Sequence, residues 1–230
     1  MSTWNIQYVC AVSGIICTFF NIGALAASGF LPPLPPSWDA EQTAKHYRDH
    51  EKGIQGGASL MVFSGMFYLL FTAVISAQMR RISNPHHAVS ALQLASGAAG
   101  SLVFIMSGMV LAVTSYRLDR PVEITQALND LFWVTYCMPW PAFIVQNFAF
   151  AYAIIIDRRS KPLFPKSIAV LNIIAPTLYI PAAALHCFKT GPLAWNGSVT
   201  FWIPASGWCV QAIVDCFCLV QAVSTEMEMG

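Results

Sequence analysis

Pro204, Trp208, Gln211 and Asp215 recur at spacings of four, three and four, so on a helix they share one face. They lie within a long apolar run, with Asp215 about seven residues from its end, roughly 10 Å deep by helical rise. An ionisable side chain at that depth is costly in lipid, turns toward a protein interior or a wet cavity, and marks a functional site by default. Gln146 and Asn147 in the fourth apolar run and Asn172 in the fifth sit at comparable depth. Together these residues predict a site of one carboxyl and several amides, walled by Trp208, Trp140 and Phe148. Asp215 is its candidate catalytic residue; Trp208, Gln211, Gln146, Asn147, Asn172 and Trp140 are its candidate ligand-binding residues. A neutral carboxyl in a dry pocket could protonate an alkene, epoxide or carbonyl. A charged one could hold a cation, and a hydrogen-bonded one could simply pin spans 4, 5 and 6 together.

Asp39, Thr43, His46 and His50 form a second periodic set, again at four, three and four. His46 and His50 have the i, i+4 spacing at which two imidazoles can share a metal. A metal centre needs at least three protein ligands, for which Asp39, or Glu123 with Asp130, are the available carboxylates. The same pattern is that of an ordinary solvated helix face, so no metal and no cofactor is expected. Five histidines are too few for the histidine-rich di-iron clusters of membrane hydroxylases and desaturases. His186 stands alone near the end of the fifth run, and His86 with His87 falls in a polar turn. No Lys stands mid-span to form a retinal Schiff base, and Walker, GxSxG, HExxH and GxGxxG patterns are absent. The seven cysteines all fall in apolar runs without CxxC spacing, as small buried residues rather than metal ligands or disulfide partners.

Membrane helices must position these residues. The 230 residues are 56% hydrophobic and 10% charged, with mean hydropathy +0.57, against roughly 25% charged in a soluble domain. Apolar runs cover residues at about 7–30, 57–78, 89–115, 131–156, 167–188 and 199–222, each long enough for a hydrocarbon core of about 30 Å. The predicted fold class is all-α: a polytopic membrane protein of six transmembrane helices in a single domain. The first run ends in "GALAASG", a signal-peptidase-like stretch, but no Lys or Arg precedes it, so it is expected to be retained as a helix. A net charge of +1 without a basic stripe gives no argument for a nucleic-acid partner. Arg80, Arg81, Arg158, Arg159, Lys161 and Lys166 lie in short loops close to span ends, which predicts that this face, with both termini, is cytoplasmic.

The one sizeable connection is "LPPLPPSWDAEQTAKHYRDHEKGIQGG", residues 31–57. Its prolines predict a stiff exit from span 1. Ser37 as N-cap, with Asp39 and Glu41 in the first turn, predicts a short amphipathic outer helix over residues 38–52. Trp38 and Tyr47 would anchor it at the membrane surface, and Gly53, Gly56 and Gly57 would end it. In spans 4 to 6, Pro139, Pro141, Pro176, Pro181 and Pro204 each remove a helix hydrogen bond. Broken backbone at membrane depth is tolerated only where protein or water satisfies it, so these spans are expected to surround a shared, partly polar interior. Small residues crowd span 3 in "SGAAGS", Ser96 to Ser101, then Ser107 and Gly108, which suits close helix contact.

The segments "ITQALNDLFW", "MPWPAFIVQN", "LFPKSIAVLNI" and "KTGPLAWNG" resemble those of a group of small, uncharacterised six-span bacterial integral membrane proteins. The resemblance covers most of the chain and implies a bacterial inner (plasma) membrane, with no activity and no functional residue. The residues themselves favour a membrane-embedded protein that binds a lipophilic small molecule between spans 4 and 6, with isomerisation, hydration or cyclisation as chemistry within reach of Asp215. A proton- or cation-coupled transporter is the second reading. A non-catalytic subunit of a larger membrane complex, contacting its partners through span 3, is the third. The expected partners are the bilayer, a lipophilic small molecule, and further copies or subunits in a complex.

Overall fold

Each apolar run folds as a helix because lipid leaves the backbone no other partner for its N–H and C=O groups. The computed structural model describes residues 3–82 and 87–229, which places His86 outside the described residues. The chain is 80% helical, with no strand among the described residues, and six helices are long and apolar enough to span a membrane. Helix α1 covers Thr3–Ala27, α2 Ala40–Asp49, α3 Glu51–Met79 and α4 His87–Tyr116. The fourth span is two helices, α5 (Val122–Cys137) and α6 (Trp140–Ile156). The fifth is α7 (Lys166–Thr177) followed by a 3₁₀ stretch, Ile180–Cys187. The sixth opens with a π turn, Ser198–Trp202, and continues as α8 (Ile203–Met229).

The spans form a ring in chain order. α1 packs on α3, α3 on α4, α4 on α5 and α6, α6 on α7, and α7 on α8, which returns to α1. At the closing seam Gly14 of α1 lies so near α8 that a Cβ there would sit 2.6 Å from the Cys216 Sγ. Lipid gives helices little hydrophobic reason to associate, so such close approach carries the contact. The small residues of span 3 serve the same purpose within the chain: Ser96, Gly97, Gly100, Ser101, Ser107 and Gly108 are buried, with Gly97 against Thr72 and Gly108 against the Ala58 carbonyl of α3.

The proline positions mark real changes of helix type. The α-helix of span 4 stops at Cys137 and resumes at Trp140 with Pro141 in its first turn, where a missing N–H costs nothing. Pro176 lies inside the last turn of α7, and Pro181 opens the 3₁₀ stretch.

The outer helix differs from expectation in three respects. Its N-cap is Asp39, not Ser37: Asp39 Oδ1 accepts from Gln42 N at 2.8 Å while Gln42 Oε1 accepts from Asp39 N at 3.1 Å. Three residues after Ser37 stands Ala40, which has no group to return such a bond. The helix ends at His50, and Gly53 and Gly57 lie inside α3, where added Cβ atoms would meet the Ala27 and Ala24 backbone. Tyr47 is no surface anchor; it is fully buried and donates to Asn129 Oδ1 of α5 at 3.3 Å, pegging α2 to the bundle.

Candidate functional site

Where α1, α4 and the broken spans 4 to 6 meet, in the half of the bundle nearer α2, a cavity of about 380 Å³ opens. Span 1 supplies Asn21, Ile22 and Leu25, span 4 supplies Tyr136, Cys137, Trp140 and Phe143, and span 5 supplies Tyr179 and Ala182. Span 6 contributes residues between Thr200 and Cys209, among them Phe201, Trp202 and Trp208. The helix interruptions make this space. Pro139 turns the chain so that Tyr136 at the end of α5 and Trp140 and Phe143 at the start of α6 face one volume. The 3₁₀ stretch and π turn bring Ala182 and Phe201 to its rim.

The cavity has a lid, a floor and a side. Its lid is aromatic: Phe201 packs on Trp133 at 6.1 Å between ring centroids, Trp133 stacks on Trp195, and the Trp195 indole donates to the Leu34 carbonyl at 2.8 Å. The Thr200 hydroxyl donates to the Ala194 carbonyl, fixing the start of span 6. The floor is Phe104, Phe143 and Trp208, with Tyr68 beneath them 5.6 Å from both Phe104 and Trp208. On the side, the lining residues Ile22 and Trp202 are 39% and 46% exposed on membrane-spanning helices.

Below the floor the polar residues fall into two networks rather than one site. Asn172 Nδ2 donates to Asp215 Oδ1 at 2.8 Å and to the Ile168 carbonyl at 3.1 Å, and Gln211 Nε2 donates to Asn172 Oδ1 at 2.9 Å. Asp215 is 3% exposed and faces the interior, as its position on the Pro204–Asp215 face requires, but it does not line the cavity. Gln146 belongs elsewhere: it accepts from the Tyr68 hydroxyl at 2.6 Å and shares the Thr72 hydroxyl with Gln93. Asn147 is buried beside it and enters neither network. Equal depth along neighbouring spans does not fix azimuth. α6 packs on both α4 and α7, and Gln146 faces the α4 side.

Of the residues expected around a ligand, the structure brings Trp140 and Trp208 to the cavity and leaves Gln211, Gln146, Asn147, Asn172 and Asp215 outside it. Phe148 is 40% exposed and is not a wall. Phe143 is; five residues apart at about 100° each, the two rings point some 140° from one another. Asn21 and Tyr179, both on the lining, were not singled out in the sequence. Asn21 is an amide in span 1 that the depth argument for Asn172 would have caught; its Nδ2 donates to the Tyr136 hydroxyl at 2.7 Å. Tyr179 lies between Pro176 and Pro181, in a stretch whose prolines drew attention away from it.

The outer histidines do not make a metal centre. The His46 and His50 rings stack at 4.1 Å and 18°, which keeps their lone pairs from converging on one ion. His46 Nε2 is 2.9 Å from the Ser28 carbonyl, so it carries the proton and donates. Burial holds His46 below the ordinary histidine pKa. Among the described residues no three His, Cys, Asp or Glu side chains could hold a metal ion. Glu123 and Asp130 stay exposed on α5, and His186 is exposed in the 3₁₀ stretch. All seven cysteines are free. No protein-family model, no curated protein and no solved structure matches the chain.

Proposed function

We propose that this protein binds a lipophilic small molecule inside the membrane, taking it sideways from the bilayer into the cavity between spans 1, 4, 5 and 6. The observation that carries the reading is an apolar, aromatic-walled space of about 380 Å³ whose lining reaches the lipid-facing surface at Ile22 and Trp202. Ligand sites have this character, mostly apolar walls with a few polar groups, and volumes of about 300–1,000 Å³. Binding is favoured over catalysis by Asp215, because the Phe104–Phe143–Trp208 floor separates that carboxyl from the cavity. The same floor disfavours a transport path, which needs polar access from both faces. A partner-contact role for span 3 would fall to its exposed Ala95 and Ala99, since Gly97 and Gly108 are engaged by α3. The basic residues of the short loops favour a cytoplasmic face for both termini, which would put the cavity in the outer half of the bilayer, and the resemblance to small six-span bacterial proteins favours an inner (plasma) membrane.

Native mass spectrometry of protein released gently from its membrane tests the reading. A lipophile retained by the parent protein and lost from Ala205→Trp, which fills the cavity, is the expected result. Val210→Trp, equal in bulk but set on the lipid-facing side of α8, should keep it. Equal retention by both variants would overturn the proposal.

A further inference from the structure

We propose that the ligand is an amphiphilic lipid bound tail first, with a hydrocarbon chain in the cavity and the polar head left at the membrane surface on the α2 side. The inference rests on the binding reading above and adds to it the class of ligand and its direction of entry.

The cavity is as deep as one leaflet. Its lining begins at Leu31, an exposed residue beyond the end of α1. The exposed lining residues below are Ile22, five residues inside span 1, and Trp202 and Ser206, four and eight residues inside span 6. By helical rise they stand about 6–12 Å below the span ends on the α2 side. The floor residue Trp208 is ten residues inside span 6, about 15 Å down. That is the middle of a hydrocarbon core about 30 Å thick. There Tyr68, Phe104, Phe143 and Trp208 pack ring on ring and close the space toward the other face. The mouth opens where the chains of a leaflet begin, and the floor lies where they end.

The walls set which part of a ligand can enter. No Asp, Glu, Lys, Arg or His is among the lining residues, so a charged head drawn inside would lose its water without a counter-charge. Asn21 is tied to Tyr136, and the Thr200 and Ser206 hydroxyls donate to the Ala194 and Ile203 carbonyls. The other donors on the lining include the Trp140 and Trp202 indoles and the weakly donating Cys137 and Cys209 thiols, none of which carries a charge to offset one. The head therefore stays outside. A wholly apolar compound has no group to hold it near the surface, whereas an amphiphile is anchored by its head close to the mouth. At about 30 Å³ per heavy atom, a space of about 380 Å³ takes roughly a dozen carbons, one chain and not two.

The experiment uses the full chain in phosphatidylcholine nanodiscs and two photoreactive dodecanols, one with a diazirine at carbon 11 and one at carbon 3. Adducts are located by peptide mass spectrometry. The carbon-11 probe should label Phe104, Phe143 and Trp208 on the floor, and the carbon-3 probe Leu31, Ile22 and Trp202 at the mouth. Phe104 and Phe143 are buried, so their labels report entry into the cavity, and excess unlabelled dodecanol should remove them. A phosphatidylcholine with the diazirine at the end of one chain separates the two sources of such a tail. Floor labels from it assign the site to the bilayer's own lipid, floor labels from dodecanol alone to a single-chain lipid, and either supports the proposal. Floor labels from both dodecanols alike, or from the carbon-3 probe alone, would overturn tail-first binding while the cavity reading stands. A floor labelled by no probe would overturn it too, and ligand retention by Ala205→Trp then decides separately whether the cavity reading falls with it.

Discussion

Asp215 was the most conspicuous residue of the sequence, and its role is set by the company it keeps. Its carboxyl accepts from Asn172, which in turn accepts from Gln211, so three polar side chains on spans 5 and 6 are linked in a chain beneath the aromatic floor, with only the Gln211 Oε1 left without a partner among them. Asp215→Asn preserves shape and an acceptor, and should leave ligand retention and the thermal inactivation temperature in detergent nearly unchanged. Asp215→Leu strands the Asn172 amide in the interior, and a buried unsatisfied group of this kind costs about 1–3 kcal/mol. That variant should inactivate at a clearly lower temperature. Loss of ligand in Asp215→Asn with stability intact would instead return the carboxyl to the binding site. The sequence showed that Asp215 faces inward, because a charge at that depth has no other option. It did not show which neighbours share its azimuth, since spacing within one helix carries no information about the rotation of the next.

Among the elements, α2 joins the end of span 1 to the bundle, and the contact is sensitive to acid. His46 donates to the Ser28 carbonyl, stacks on Phe30 at 5.6 Å and on His50 at 4.1 Å, and has Asp49 nearby. Burial, the largest influence, keeps its pKa below the ordinary value of about 6.5 despite the hydrogen bond to Ser28, which pulls the other way. A histidine with a lowered folded-state pKa stabilises the fold fully above the unfolded value, and that contribution is lost as pH falls through the folded one. Amide protection factors in α2 and in residues 28–31, which allow for the intrinsic slowing of exchange in acid, should therefore fall on acidification below about pH 6.5. In His46→Gln that pH dependence should be flattened; a persistent acid response in the variant would assign it to another group. The periodic stripe of Asp39, Thr43, His46 and His50 was readable as an amphipathic helix. That its Thr43 and His46 turn toward span 1 and the Phe30 ring, rather than toward water, depends on the return of the chain at Gly29, where φ is +68°.

At the scale of the whole molecule, the six spans were the most legible feature, and their closure into a ring around a cavity the least. Six apolar runs, and the prolines that break three of them, announced six crossings and where the helices would change type. The closure of α8 onto α1 depends on Gly14 meeting Cys216, a contact between the two ends of the chain that no local pattern encodes. That closure makes span 1 a wall of the cavity and brings Asn21 to it. The cavity sits in the half nearer α2 rather than at Asp215, because the aromatic quartet of Tyr68, Phe104, Phe143 and Trp208 fills the centre of the ring.

The central claim is that a lipophile occupies this space from within the bilayer, and photolabelling tests it most directly. The protein in nanodiscs would be irradiated with an uncharged, membrane-dissolved diazirine probe and the adducts located by peptide mass spectrometry. The account predicts labels on Tyr136, Trp140, Phe143, Tyr179 and Trp208 that fade with an excess of an unlabelled, uncharged lipophile. Labels confined to lipid-facing residues such as Phe148 and Phe217, indifferent to competitor, would contradict it.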